Sequence, residues 1–182
     1  MEENQENIRF KKAFDVVMKH EGGLVNSPND PGGITNFGIS LRFLLASGID
    51  INHDFDINSS DIIDLTKDQA KEIYKKYWWD KYRYNEIIYL DVAIKIFDLA
   101  INMGAIQAHK LVQRAINSLD NQRQTSVNGI LGQKTLAAIN AISPMHLLAA
   151  IKKEASKFYT LIAERNPNLK IYLNGWLRRA ND

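Results

Sequence analysis

Apolar residues recur at helical spacing over most of this chain, and one stretch breaks the pattern: HEGGLVNSPNDPGGITNFGIS, residues 20–40, with five of the ten glycines and two of the four prolines. Glycine admits left-handed backbone and proline fixes φ, so this density marks where a helix must stop and the chain reverse. Ahead of it, Phe10, Ala13, Phe14, Val17 and Glu21 recur at three- and four-residue steps, one face of a helix over residues 8–21. Glu21 prolongs an otherwise apolar stripe. Gly22 and Gly23 stop that helix, "NSPNDPGG" reads as consecutive turns, and "ITNFGIS" reads as a short strand. The spacing predicts a helix-to-hairpin transition, with a small β-hairpin near residues 24–40.

Elsewhere the signals are helical. Residues 41–46 form a short helix closed by Gly48, and "DINHDFDINSSD" is an acidic, polar surface loop. Thr66 and Gln69 match a capping box, opening a helix whose stripe is Ala70, Ile73, Tyr74, Tyr77 and Trp78. Trp78 reads as core, and Trp79 falls beside the stripe at a less buried position. "DVAIKIFDLAINMG" is apolar nearly all round except for Asp91, Lys95, Asp98 and Asn102, which form one polar line on a central buried helix. Further helices are predicted over 105–119, 133–142, 144–165 and 171–179. There is no internal repeat. The expected fold class is mainly α.

The 182 residues, 45% hydrophobic and 24% charged, suffice for a real core, and the net charge of +2 gives no reason to expect a nucleic-acid partner. With no cysteine, disulfides and thiolate metal sites are impossible, and His20, His53, His109 and His146 form no local ligand cluster. No metal and no cofactor are expected. The opening MEENQENIRFKK has neither a positive n-region nor an apolar h-region, and no run approaches membrane-spanning length. The expectation is synthesis in the cytoplasm without a signal peptide, no integral membrane segment, and delivery by other machinery to any substrate outside.

The chemistry centres on residues 21–35. A glutamate in the last turn of a helix faces the negative end of the helix dipole, and an apolar stripe behind it removes water; both disfavour its ionised form. A general acid needs that setting. Asp30 sits in a Pro-Gly-Gly turn where water and hydrogen bonds favour the carboxylate, and Thr35 follows with a hydroxyl. Two carboxyl groups in contrasting environments are the equipment of glycoside hydrolysis. Asp-Pro-Gly-Gly is equally an ordinary turn, and on the residues alone both readings stand.

"EGGLVNSPNDPGGITNFGIS" closely resembles the opening motif of the glycoside hydrolase family 108 muramidases, lysozyme-like enzymes that cut peptidoglycan between N-acetylmuramic acid and N-acetylglucosamine. The resemblance continues in "LTKDQAKEIYKKYWW", similar to the family's aromatic helix. "IKIFDLAINMGAIQAHKLVQRAIN" and "NGILGQKTLAAI" are similar to the predicted peptidoglycan-binding segment that follows. It implies a lysozyme-like helical fold, with a catalytic segment at 8–93 and a peptidoglycan-binding-like segment at 94–178 packed as one compact unit. Glu21 takes the position of the catalytic glutamate, and Asp30 and Thr35 match the aspartate and threonine that follow it in related phage-type lysozymes. Asn128 precedes Gly129 where the binding repeats usually carry Asp-Gly.

The implied activity is that of a lysozyme, a bacteriolytic N-acetylmuramidase with Glu21 as general acid and inversion through a water held by Asp30 and Thr35. A wall-binding protein that keeps the fold without turnover is the alternative; the intact Glu21, Asp30 and Thr35 favour the enzyme. Candidates for sugar contact are Asn36, Phe37, Trp79, Asp98 and Asn102. Phe37 also fits a staple between hairpin and core, and the polar line through Asp98 and Asn102 also fits a solvated helix edge. The resemblance places Asp98 and Asn102 in a recurrent FD-x-A-x-N-x-G pattern. His20 reads as structural. The basic residues Lys152, Lys153, Lys157, Arg165, Arg178 and Arg179 read as solvated helix faces or as an attraction to the anionic wall. The expected partners are peptidoglycan glycan strands, with a holin or secretion machinery for delivery to the periplasm or cell wall, and the protein is expected to be a monomer. Phage endolysin, toxin-secretion muramidase and housekeeping wall enzyme all fit.

Overall fold

The computed structural model describes residues 2–25, 34–122 and 124–182. Among them are nine α-helices: α1 (Glu2–His20), α2 (Leu41–Ser47), α3 (Ser59–Asp64), α4 (Lys67–Tyr74), α5 (Leu90–Met103), α6 (Ala105–Leu119), α7 (Gln133–Ala141), α8 (Pro144–Arg165) and α9 (Lys170–Asn181). Two strands of two residues, β1 (Thr35–Asn36) and β2 (Ile39–Ser40), pair antiparallel. The fold is mainly α with one small β excursion, as the sequence predicts. The chain divides into two compact units, Phe14–Tyr77 and Met1–Ala13 with Trp78–Asp182.

In the smaller unit, Thr35 pairs with Ser40 and Asn36 with Ile39 across a two-residue turn. Phe37 (φ 50°) and Gly38 (φ 77°) are both left-handed there, as the tightest hairpin turn requires. Ser40 ends the hairpin and caps α2, its hydroxyl accepting from Phe43 N at 3.2 Å. Thr66 and Gln69 form the predicted capping box of α4, with Thr66 N donating to Gln69 Oε1 at 2.9 Å and Gln69 N to Thr66 Oγ1 at 3.2 Å. Phe14, Val17, Ile39, Leu44, Ile62, Ala70 and Tyr74 fill the core.

The acidic loop before α3 turns its carboxylates on its own backbone. Asp50 accepts from His53 N at 2.7 Å and Phe55 N at 2.8 Å, and both residues are left-handed, with φ of 61° and 70°. Buried Asp61 accepts from Ile51 N at 2.6 Å and Asn58 N at 2.8 Å, so this loop has an anchored end where the sequence suggests only surface. Alternating Asp and Asn side chains thus supply the hydrogen bonds that regular structure supplies elsewhere.

After α4 the chain continues as a π-helix, Lys75–Asp80. Its wider turn admits an extra residue and shifts every later side chain off the stripe extrapolated from α4. The expected exposures are therefore exchanged: Trp78 is half-buried and Trp79 is 0% exposed. Within the larger unit the Trp79 ring lies 5.7 Å from Phe10, 5.5 Å from Phe97 and 6.0 Å from Tyr84, the last two edge to face. Burying about 200 Å² of ring at about 25 cal/mol/Å² contributes ~5 kcal/mol, which makes Trp79 a core anchor.

The larger unit is built round α5, which packs on α6 and α8, while α8 also packs on α6 and α9. Val92, Ala93, Ile96, Phe97, Leu99 and Ala100 are all buried on α5, as expected of a central helix. Its polar line is not a solvated edge. Lys95 and Asp98 are buried; Asp98 Oδ1 accepts from Arg179 Nη2 at 2.9 Å and Nε at 3.0 Å, and Lys95 Nζ donates to Arg179 O at 2.9 Å. Arg179, expected on a solvated face, is the buried clasp between α5 and α9. Burial lowers the Lys95 ammonium below its ordinary value, against the opposing pull of Asp98, whose Oδ2 lies 4.0 Å away. Among the described residues no single helix is long and apolar enough to cross a membrane.

Candidate active site

Glu21 closes α1. Its N–H makes the last helical bond, to Val17 O at 3.0 Å, and the stripe behind it, Phe10, Ala13, Phe14 and Val17, is buried as its spacing predicts. The Glu21 side chain itself is half-buried. Four residues on, Val25 bridges to Thr35 through both backbone bonds, 2.8 Å and 2.9 Å, so the chain that leaves Glu21 returns alongside its own departure. Thr35 is half-buried at the start of β1. Asp30 lies outside the described residues.

The hairpin tip then meets Glu21. A Cβ added to Gly38 would lie 2.6 Å from Glu21 Oε2 and 2.6 Å from Tyr74 Oη, inside contact distance of both. Glycine at this position therefore serves two needs, the left-handed φ and the space that the carboxyl and phenol groups occupy. Tyr74, buried on α4 with its ring 5.9 Å from Phe14, donates its hydroxyl to Phe37 O at 2.9 Å. The last turn of α1, the tip of the hairpin and the end of α4 thus converge on one carboxyl group.

The other sequence candidates divide. Phe37 is half-buried at the tip beside this carboxyl. Asn36 faces the opposite way: it is 7% exposed, and its amide donates to Ile62 O at 3.0 Å and Leu65 O at 3.3 Å, which ties the hairpin to the end of α3. Trp79, enclosed by Phe10, Phe97 and Tyr84, has no face for a sugar. Asp98, 1% exposed, is committed to Arg179. Half-buried Asn102 accepts from Tyr159 Oη at 2.6 Å, a link from α5 to α8. Asn36, Trp79 and Asp98 are buried structural members, a correction to the expectation that they line the sugar path, whereas Asn102 keeps part of its surface open. Gly38 and Tyr74 escaped the sequence reading because one passes for a strand residue and the other for a core position on the α4 stripe. The signal available was the tyrosine's hydroxyl, which needs a partner once buried.

The fold is mainly α and lysozyme-like, with a glutamate at the end of its first helix, and similarity to known proteins places it in a glycoside hydrolase class. Residues 14–104 match the glycosyl hydrolase 108 model, half of the chain, and the protein belongs to that family. Residues 107–181 match the model described as a predicted peptidoglycan domain. Together these matches make the chain a peptidoglycan hydrolase. The solved structure of SagA from Brucella abortus superposes with a TM-score of 0.74 at 26% identity, covering 94% of this chain and 88% of that one. No curated protein sequence matches the chain.

Proposed function

We propose that the protein is an N-acetylmuramidase that hydrolyses the β-1,4 bond between N-acetylmuramic acid and N-acetylglucosamine. Glu21 is the general acid that protonates the leaving oxygen, and Asp30 and Thr35 hold the attacking water on the other face of the sugar. The observation that carries this reading is the seating of the Glu21 carboxyl against Gly38, where any side chain would displace it. Phe37, at the same tip, offers the aromatic contact for a sugar ring. The enzyme reaches the wall after export or release, through a holin or a secretion system.

Glu21→Gln preserves size and packing and removes the proton, so the variant keeps its melting temperature and loses reducing-end release from purified peptidoglycan. Near-parental turnover at an unchanged melting temperature removes Glu21 from the mechanism. Proton NMR of the first-formed product tests the water-holding pair: inversion gives the α anomer, and a β product before mutarotation excludes that role. A protein that pellets with the wall and releases no reducing ends is a binder, and the enzymatic reading fails.

A further inference from the structure

Helix α9 carries a glycine for which the fold itself gives no reason. Gly175 stands inside the helix, away from both ends, in helical rather than left-handed backbone, and a Cβ added to it would meet nothing within 4 Å. Alanine would fit there and would hold the helix better, because glycine gives up more chain freedom on folding. A helical glycine with open space above it does serve one purpose: it lets another molecule approach the backbone closely.

The surface round Gly175 is aromatic and basic. One turn earlier, Ile171 is 78% and Tyr172 53% exposed, and half-buried Trp176 follows directly. The Tyr172 ring lies 5.7 Å from that of Trp176 with 32° between their planes, and the Trp176 ring lies 5.5 Å from Tyr159 at 23°. Tyr159 is buried on α8, its hydroxyl donating to Asn102 Oδ1 at 2.6 Å. The rings thus run outward in a tilted stack, the exposed ones braced by the buried one. Asn174 and Arg178, both exposed, border the glycine. The helix carries Lys170, Arg178 and Arg179 and no acidic side chain; with Arg179 spent on Asp98, the other two leave its surface positive. A sugar ring has apolar C–H faces and a polar rim, so it packs on aromatic rings while its acetamido and hydroxyl groups take hydrogen bonds. Exposed cationic side chains add attraction for carboxylates.

We propose that this face of α9 holds a wall glycan strand, an N-acetylated sugar chain that carries carboxylates. One sugar ring packs over Gly175 against Tyr172 and Trp176, Asn174 bonds its acetamido group, and Arg178 pairs with a carboxylate. The face lies within residues 107–181, the segment matched by the peptidoglycan domain. The proposal rests on peptidoglycan as the substrate, yet uses none of the residues round Glu21, so holding the wall and turning it over are separable.

The test is co-sedimentation of the full chain with purified sacculi at 4 °C, with glycan strands freed of their peptide stems as soluble competitor. Gly175→Ala separates a structural from a binding role, because the two move in opposite directions: the melting temperature rises by about 2–4 °C while sacculus binding weakens about fivefold or more. Tyr172→Ala, at an exposed position, keeps the melting temperature and weakens binding by a similar factor. Arg178→Gln weakens binding at low salt, and the difference from wild type fades as salt rises. Free glycan strands displace the protein, and stem peptides alone do not. Parental binding in either Gly175→Ala or Tyr172→Ala, or displacement by stem peptides alone, overturns the proposal. So does a wild-type dimer that Gly175→Ala turns into a monomer with wall binding unchanged, which assigns the face to a second copy of the chain. Glu21→Gln keeps parental binding. Reducing-end release by that variant at the parental rate removes the muramidase reading alone, and parental binding in the α9 variants removes the glycan-holding face alone.

Discussion

Gly38→Ala tests the seat of the proposed acid directly. The backbone cost comes first: φ at position 38 is 77°, where a side chain costs roughly 1–2 kcal/mol. The contact cost follows, because the new Cβ would stand 2.6 Å from both Glu21 Oε2 and Tyr74 Oη. Ordinary contact requires each to retreat by roughly half an ångström or more, and Tyr74 is pinned by its bond to Phe37 O at 2.9 Å. The carboxyl, at the end of a side chain, gives way first. Displacement of a catalytic group on the order of 1 Å costs about 100-fold in rate, so a loss of about 10- to 100-fold in reducing-end release is expected, with a stability loss of roughly 2–3 kcal/mol. Gly48→Ala is the matched control. Its φ is 63° and nothing lies within 4 Å of its Cβ, so it carries the backbone cost alone and should keep the parental rate per folded molecule. Melting curves correct each rate for the folded fraction. A parental rate in folded Gly38→Ala, or an equal loss in Gly48→Ala, refutes the reasoning.

Two further predictions concern stability. His109 is buried, donates Nδ1–H to Gly129 O at 2.9 Å and accepts from Tyr84 Oη at 2.8 Å. Burial holds its pKa down at about 4 against a smaller opposing pull from the Gly129 carbonyl, while the unfolded value is about 6.5. The unfolded chain therefore binds a proton that the folded chain refuses, and this stabilisation, full above about pH 6.5, is lost as pH falls toward 4, about 3 kcal/mol in all. Urea unfolding of wild type against His109→Gln across that window measures it; equal pH slopes for the two proteins disprove the linkage. Arg179→Met strands the buried Asp98 carboxylate and should cost roughly 3–5 kcal/mol, whereas Arg178→Met, on an exposed position, should lie within about 0.5 kcal/mol of wild type. Equal melting shifts for the two variants would show that the clasp contributes nothing.

The fold was legible where local chemistry decides it. The Phe10, Ala13, Phe14, Val17 stripe, the Thr66–Gln69 box, the closure of α2 at Gly48 and the buried character of α5 each follow from spacing or a capping residue, and each is found in place. The Trp78 and Trp79 exposures were illegible because the reading extends α4 at an α-helical period, and the chain changes period at Lys75–Asp80. Nothing in "KKYWW" announces a π-turn. The acidic loop failed differently: it has no hydrophobic period, and its order comes from side chains bonding to the backbone within a few residues.

Near the candidate site, spacing predicted the helix end at Glu21 and the return of the chain through Thr35, because helix end, glycines and strand are sequential signals. It could not distinguish a polar residue facing substrate from one facing another helix. Asp98 and Arg179 are 81 positions apart, and only tertiary packing turns a polar line on α5 and a basic helix end on α9 into one buried pair. The cost of burying either charge alone explains why both are there. Asn36 follows the same logic at shorter range, its amide spent on Ile62 O and Leu65 O to fix β1 against α3. That anchoring has a catalytic consequence under the proposed mechanism. The register of β1 with β2 sets the position of the Phe37–Gly38 tip, and the tip sets where the Glu21 carboxyl can rest. Asn36 therefore positions the acid through the hairpin without touching substrate.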